Sequence, residues 1–207
     1  MRPARVEADQ VGFGFNPAQP LFSGLSFSLP ASGVSLIQGG ESRGKSTLLR
    51  LLAGQLQPQT GTLRMNGLAM VEPALKPLIY AHDPRLPHWH ELTPTAFFAQ
   101  LAAQYPGFDD AKVNPLLEHL QLAEHAHKAM YMLSTGSKRK VSWVAAMVCG
   151  ADLLLMDEPF AALDLTSIRK LHQLLAAWSQ DHSSAWVLAD YQAPGTVPLA
   201  AVIDLGD

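Results

Sequence analysis

Residues 39–47 read Gly-Gly-Glu-Ser-Arg-Gly-Lys-Ser-Thr, between a short apolar run at 34–38 and a helix-prone run, Ser-Thr-Leu-Leu-Arg-Leu-Leu-Ala-Gly, at 46–54. A glycine-bracketed loop that leaves a strand and opens a helix constrains the fold more than any other stretch here. Gly39 and Gly44 let backbone N–H groups point inward, where a side chain would collide. The N-terminus of the following helix favours an anion. The spacing Gly-x-x-x-x-Gly-Lys-Ser fits a loop wrapping a nucleoside triphosphate, with Lys45 at the β and γ phosphates and the Ser46 hydroxyl on Mg2+. The rest of the loop, Gly40, Glu41, Ser42, Arg43 and Thr47, belongs to the same expected site. Glu41 is unusual because it brings negative charge towards the phosphates, with Arg43 placed to offset it.

A second run, Leu-Leu-Leu-Met-Asp-Glu-Pro at 153–159, reads as a buried strand that ends in two carboxylates. Standing alone, it would be an ordinary strand end capped by acids. Behind a phosphate loop, Asp157 is placed to hold the Mg2+ shell and Glu158 to polarise an attacking water. The two runs together predict a protein that binds a Mg-nucleotide.

Around them, 6–15 and 21–29 read as two antiparallel strands split by Asn16-Pro17-Ala18-Gln19-Pro20. A strand at 60–65 runs into the tight turn Asn66-Gly67, and 76–81 is a further strand candidate. From 82 the character changes: Pro84, Pro87 and Pro94 punctuate a loop, and helices are expected at 95–104 and 112–121. Residues 136–149, 152–157, 165–180 and 185–190 read as helix, strand, helix, strand. Strands alternating with helices around a phosphate loop imply a parallel α/β core. The expected organisation is one domain over 1–207, with a core from 1–81 and 142–207 and a helical lobe inserted at 82–141.

At Leu133-Ser134-Thr135-Gly136-Ser137 the chain resembles the ATP-binding-cassette (ABC) family, whose signature Leu-Ser-Gly-Gly-Gln lies 20-odd residues before the acidic strand end. Here Ser134 lies 23 residues before Asp157. The resemblance covers essentially the whole chain and includes Asp-Glu-Pro-Phe-Ala-Ala-Leu-Asp at 157–164. It implies a P-loop NTPase cassette, with an antiparallel β subdomain and an inserted helical lobe, that hydrolyses ATP with Mg2+. It also implies that Phe15 stacks on adenine and that His82 stands where the family has its Q-loop glutamine. Two cassettes would sandwich ATP, so that Ser134 and Gly136 of one meet the γ-phosphate held by the other. Taken alone, Ser134 would be a plain helix cap.

The chain departs from the family pattern at several points. Thr135 replaces the first glycine of the signature and Ser137 its glutamine, while Ser42 replaces the middle glycine of the phosphate loop. Tyr191 stands at the switch-histidine position, 34 residues after Asp157. A phenol is a neutral donor at pH 7 and serves less well than imidazole as a proton relay. Weak hydrolysis is therefore expected, and a cassette that binds ATP and acts as a regulatory or assembly subunit is the alternative. A nucleotide kinase on another P-loop fold is disfavoured by the signature and by Ala-Leu-Asp at 162–164.

The net charge of −3 gives no basic stripe, so no nucleic-acid partner is expected. The single cysteine, Cys149, suits a reducing compartment. Pairs such as His88/His90 and His125/His127 lack a third metal ligand nearby and read as surface or loop histidines. The N-terminus has no apolar core of the signal-peptide kind, and the apolar stretch at 141–156 is broken by Ser142, Gly150 and Asp152. Membrane association is thus expected through a partner, a separate membrane-spanning transporter subunit, on the cytoplasmic face. Leu-Phe-Ser-Gly-Leu-Ser-Phe at 21–27, His82 and Asp-Glu-Pro-Phe at 157–160 resemble the cassettes that drive haem export in cytochrome c maturation.

Overall fold

The computed structural model describes residues 5–16, 18–81, 87–181 and 184–206. In chain order its elements are β1 (Val6–Phe13), β2 (Phe22–Leu29), β3 (Gly33–Gln38), α1 (Lys45–Leu52), β4 (Thr60–Met65), β5 (Leu68–Ala69), β6 (Ile79–Ala81), α2 (Pro87–Glu91), α3 (Pro94–Gln104), α4 (Val113–His119), α5 (Thr135–Val148), β7 (Leu153–Asp157), α6 (Leu165–Asp181), β8 (Ala185–Asp190) and β9 (Leu199–Asp204). They form two compact units. The first comprises Met1–Ala81, Asp152–Glu158 and His172–Asp207, the second His82–Ala151 and Pro159–Leu171.

The first unit carries two sheets. One has the order β2-β1-β4-β5, and its pairings are antiparallel. The other has the order β6-β7-β8-β3-β9, with all neighbours parallel. Central parallel strands are covered on both faces, so they read as unbroken apolar runs rather than alternating ones. The burial of 34–37, 153–156 and 185–189 follows that rule. Leu48, Leu49, Leu51 and Leu52 of α1 join Val6, Val11, Leu63, Leu153, Leu155 and Val187 in one core that serves both sheets. β4 and β5 are joined by Asn66 and Gly67, both at positive φ (54° and 82°), as the hairpin signal Asn-Gly predicts.

The parallel register sets the site. Gln38 pairs with Asp190 and Asp157 with Ala189, so the C-terminal ends of β3, β7 and β8 lie side by side. Ligands of open parallel sheets bind at that edge.

The second unit is helical. Thr93 caps α3 by accepting the Ala96 N–H (3.1 Å), and Pro94 takes the first helical position, where its missing N–H costs nothing. Ser134 caps α5 in the same way through the Ser137 N–H (3.1 Å). Trp89, Phe97 and Phe98 pack together with the Trp89 and Phe97 rings edge to face (6.1 Å).

Three segments differ from the sequence expectation. Pro73–Leu78 is a 3₁₀ turn and only Ile79–Ala81 is strand, because Pro77 has no N–H for a ladder. Proline punctuation at 84–94 conceals the short helix α2, which begins at Pro87 itself. The helix expected at 112–121 is Val113–His119, preceded by a 3₁₀ turn and followed by Gln121 at φ 57°.

Candidate nucleotide site

The loop 39–44 connects the end of β3 to the start of α1. Gly44 adopts φ 91°, and a Cβ there would meet the Phe22 ring at 2.8 Å. A Cβ on Gly39 would press on Leu205 and on the Gly206 carbonyl at 3.1 and 3.2 Å. The Gly206 carbonyl also accepts the Gly40 N–H (2.9 Å), and the Leu205 N–H donates to Gln38 (2.8 Å), so the segment after β9 braces the loop. Ser42 sits at φ 60°, the left-handed conformation for which glycine is the unstrained choice. Glu41, Ser42, Arg43 and Ser46 are exposed and Thr47 is buried.

Lys45 is only 6% exposed. Its Nζ donates to the carbonyls of Gly39 and Gly40, both at 2.7 Å, and lies 3.8 Å from the centroid of the Tyr191 ring. An ammonium has three donors, and two carbonyls and one aromatic face match that number.

Tyr191 follows β8 directly, with its N–H donating to the Asp190 carboxylate (2.7 Å). Its phenol is held above the usual tyrosine range, first by burial and then by the negative charges of Glu158, Glu41, Asp190 and Asp157. It therefore stays neutral throughout the physiological range. Asp157 ends β7. Glu158, one residue on, takes φ 43° and donates its N–H to the Ala189 carbonyl (2.8 Å). A non-glycine residue held at positive φ stores strain of the kind that clusters at functional sites. Phe15 is 67% exposed and meets Phe13 edge to face (5.2 Å), so its ring is accessible for stacking.

The first unit thus contains Phe15, the 39–47 loop, Asp157, Glu158 and Tyr191. The donor set suits a phosphate chain with a hard cation. It offers a cationic Nζ, loop N–H groups, the exposed Ser46 hydroxyl and the Asp157 carboxylate, all nitrogen donors or oxygen ligands of the kind Mg2+ takes. Gly39 and Gly44 let the loop pack directly on Leu205, Gly206 and Phe22, where a Cβ would collide, and this close packing fixes the backbone conformation that carries the loop N–H groups.

The second unit contains the signature segment. The Ser134 hydroxyl accepts from Ser137 N–H and donates to the Ser137 hydroxyl (3.0 Å), so the replacement of glutamine by serine gives the cap an internal partner. Gly136 lies against the carbonyl of Ala162. His82 lies outside the described residues. Among the described residues no group of three or more His, Cys, Asp or Glu is arranged to hold a metal ion, and no helix is long and apolar enough to cross a membrane.

Sequence reasoning missed three supports. The Gln59 side-chain amide clamps both the N–H and the carbonyl of Gly14 (3.0 and 2.9 Å), fixing the backbone just before Phe15. Phe22 forms the floor under Gly44. Trp143 donates its indole N–H to the Pro159 carbonyl (2.8 Å), just after Glu158, and its ring lies beside Phe160 (5.5 Å). None carries a local motif, because each acts through a contact distant in sequence.

A parallel sheet with a glycine loop after β3 and paired acids at the end of β7 defines a P-loop nucleotide-binding domain. The chain belongs to the ABC transporter family, whose model matches residues 22–161, and is of its ATP-binding type. It is 34% identical over 190 residues to the cytochrome c biogenesis ATP-binding export protein CcmA of Paramagnetospirillum magneticum, covering 86% of each chain. It is also 30% identical over 188 residues to the taurine import ATP-binding protein TauB of Chromobacterium violaceum, covering 89% of this chain and 72% of that one. Among solved structures it is similar to a putative ABC transporter ATP-binding protein from Pyrococcus furiosus, with a TM-score of 0.80 at 18% identity and 97% of both chains covered. That likeness concerns the fold. Membership of the family implies ATP binding, normally with Mg2+, ATP hydrolysis, pairing of cassettes and work with membrane subunits.

Proposed function

We propose that this chain is the motor of a membrane exporter, with haem for cytochrome c maturation as the cargo class, and that it turns ATP over slowly. The observation that supports the motor reading is the register that brings Asp157, at the end of β7, to the same edge of the parallel sheet as the end of β3, where the 39–47 loop begins. The export reading is supported by the relative named above and by the residues at 21–27 and 157–160.

In this reading adenine stacks on Phe15, and the loop N–H groups and Lys45 hold the β and γ phosphates. Ser46 and Asp157 would hold Mg2+, which when bound neutralises phosphate charge and draws on the β–γ bridge. Glu158 orients water towards the γ-phosphate. Ser134 and Gly136 of a second cassette complete the γ-phosphate's surroundings at the N-terminus of α5. His82 and the helical lobe around 83–140 pass closure to the membrane subunit. Tyr191 donates a hydrogen bond where the family has a histidine, and turnover is slow because the phenol relays no proton.

A second reading, a cassette that works by binding ATP with little hydrolysis, is favoured by the Tyr191 ring on Lys45 and by the pairing of Ser134 with Ser137. Co-expression with the membrane subunit, followed by reconstitution into vesicles, separates the two. The export reading requires ATP-dependent haem accumulation in inverted vesicles and loss of both accumulation and turnover in Glu158→Gln. ATP binding without Glu158-dependent turnover supports the second. Turnover stimulated by another solute but not by haem would overturn the cargo assignment alone.

A further inference from the structure

Lys45 is the buried positive charge of the expected phosphate site, yet its ammonium is already engaged. Two carbonyls of its own loop take two donors, and the face of Tyr191 stands 3.8 Å away on the third side. The ring is well placed to move. It is 43% exposed, and it follows the last residue of β8 in a segment, 191–194, outside helix and strand. The negative charges of Glu158, Glu41, Asp190 and Asp157 act on its phenol and keep it neutral, so no ion pair fixes the ring in place. Phosphate oxygens need the same Nζ. With two of its donors on loop carbonyls, the Nζ has its remaining donor for a phosphate oxygen where the ring face stands.

We infer that Tyr191 is a displaceable stopper of the phosphate loop, whose ring caps Lys45 when no nucleotide is held and must swing aside for a di- or triphosphate to bind. This rests on the reading of 39–47 as the nucleotide site and adds a regulatory role for a residue otherwise read as a hydrogen-bond donor. The cost of displacement is paid by ligands that reach Lys45 and not by those that stop short of it. Tyr191 therefore tunes affinity for the β and γ phosphates while leaving recognition of the base to Phe15. The work of moving the ring also ties nucleotide arrival to a shift in the segment after β8.

The test is isothermal titration of the intact chain with a non-hydrolysable ATP analogue plus Mg2+, and with AMP, for wild type, Tyr191→Ala, Tyr191→Leu and Tyr191→Phe. Loss of the ring should tighten triphosphate binding about 3- to 10-fold in the Ala and Leu variants, the range a partly desolvated cation–π contact spans. Phe keeps the π face and should stay within about twofold of wild type on the same scale. AMP binding should not change. A nucleotide-free measurement runs beside it: acylation of Lys45 by an amine-reactive reagent, followed by mass spectrometry, should accelerate in Ala and Leu and not in Phe. Unchanged or weaker triphosphate affinity in Ala and Leu overturns the inference while leaving the nucleotide site standing. A gain in Phe equal to that in Ala also overturns it, since the hydroxyl would then be the cause. No binding by any form, together with unaltered Lys45 acylation, overturns both the inference and the nucleotide site.

Discussion

Gly136 and Ala162 approach so closely that a Cβ on Gly136 would stand 2.7 Å from the Ala162 carbonyl oxygen. Ala162 is itself held at φ 61°. The glycine of the signature and the turn at 162–164 are thus one packed unit, which explains why this glycine is kept where its neighbours in the signature are not. Gly136→Ala should cost about 1–3 kcal/mol through overpacking against backbone. Thermal unfolding would show a fall of several degrees, and an unchanged midpoint would contradict the packing.

Ser42 occupies a left-handed position at φ 60°. Ser42→Gly removes a steric cost of about 1–2 kcal/mol and returns part of it as extra freedom of the unfolded chain. The net expectation is a gain of about 0.5–1 kcal/mol in urea denaturation. A loss would mean that the Ser42 side chain holds the loop.

Asp164 accepts the Ser167 N–H at 2.8 Å and the Ser167 hydroxyl at 2.7 Å, and these bonds, the backbone one foremost, lower its pKa from the ordinary carboxylate value. The folded chain then gives up this proton more readily than the unfolded chain. The contribution to stability is complete above about pH 4 and is lost as pH falls through the lower folded pKa. Asp164→Asn keeps a capping side chain without the charge, so wild type and variant should converge in urea midpoint between about pH 4 and pH 2. A constant difference across that range would show that ionisation of Asp164 is not coupled to folding.

The Trp143 indole N–H reaches the Pro159 carbonyl in a buried setting. Trp143→Phe keeps an aromatic ring beside Phe160 but leaves that carbonyl without its donor, at a cost of about 1–3 kcal/mol. Because Pro159 adjoins Glu158, ATP turnover should fall by more than ATP affinity. Equal losses in both would point to a general loss of folded protein.

Cys149 is fully buried, and desolvation pushes its thiol up to about 12. Native protein should react with a disulfide reagent orders of magnitude more slowly than urea-unfolded protein, since the thiolate is the nucleophile. Rapid labelling of the native chain would show local opening at the end of α5.

Much of the fold could be read from residues whose chemistry is local. The apolar runs of β3, β7 and β8 are continuous because both faces are covered, and Asn66-Gly67 can make only a narrow set of turns. The glycine loop is legible for the same reason, because Gly44 and Ser42 take the left-handed conformations its pattern calls for. What stayed hidden depends on partners far along the chain. Pro77 turns an expected strand into a 3₁₀ segment, and Pro87 starts a helix where proline spacing suggested only loop. Gln59 on Gly14, Phe22 under Gly44 and the Tyr191 ring over Lys45 carry no pattern that a linear reading can detect. The replacement of histidine by Tyr191 was visible as a loss of chemistry, while the contact it makes with Lys45 required the register of β3 against β8.

That Glu158 drives attack on a γ-phosphate held by the 39–47 loop is the step on which the proposed function turns. It is tested most directly by Mg-ATP turnover of the purified chain beside Glu158→Gln and Lys45→Ala, with ATP affinity measured on all three. Slow turnover is expected in wild type, none in Glu158→Gln although it still binds ATP, and weakened binding in Lys45→Ala. Turnover that survives in Glu158→Gln, or ATP affinity unaltered by Lys45→Ala, would contradict it.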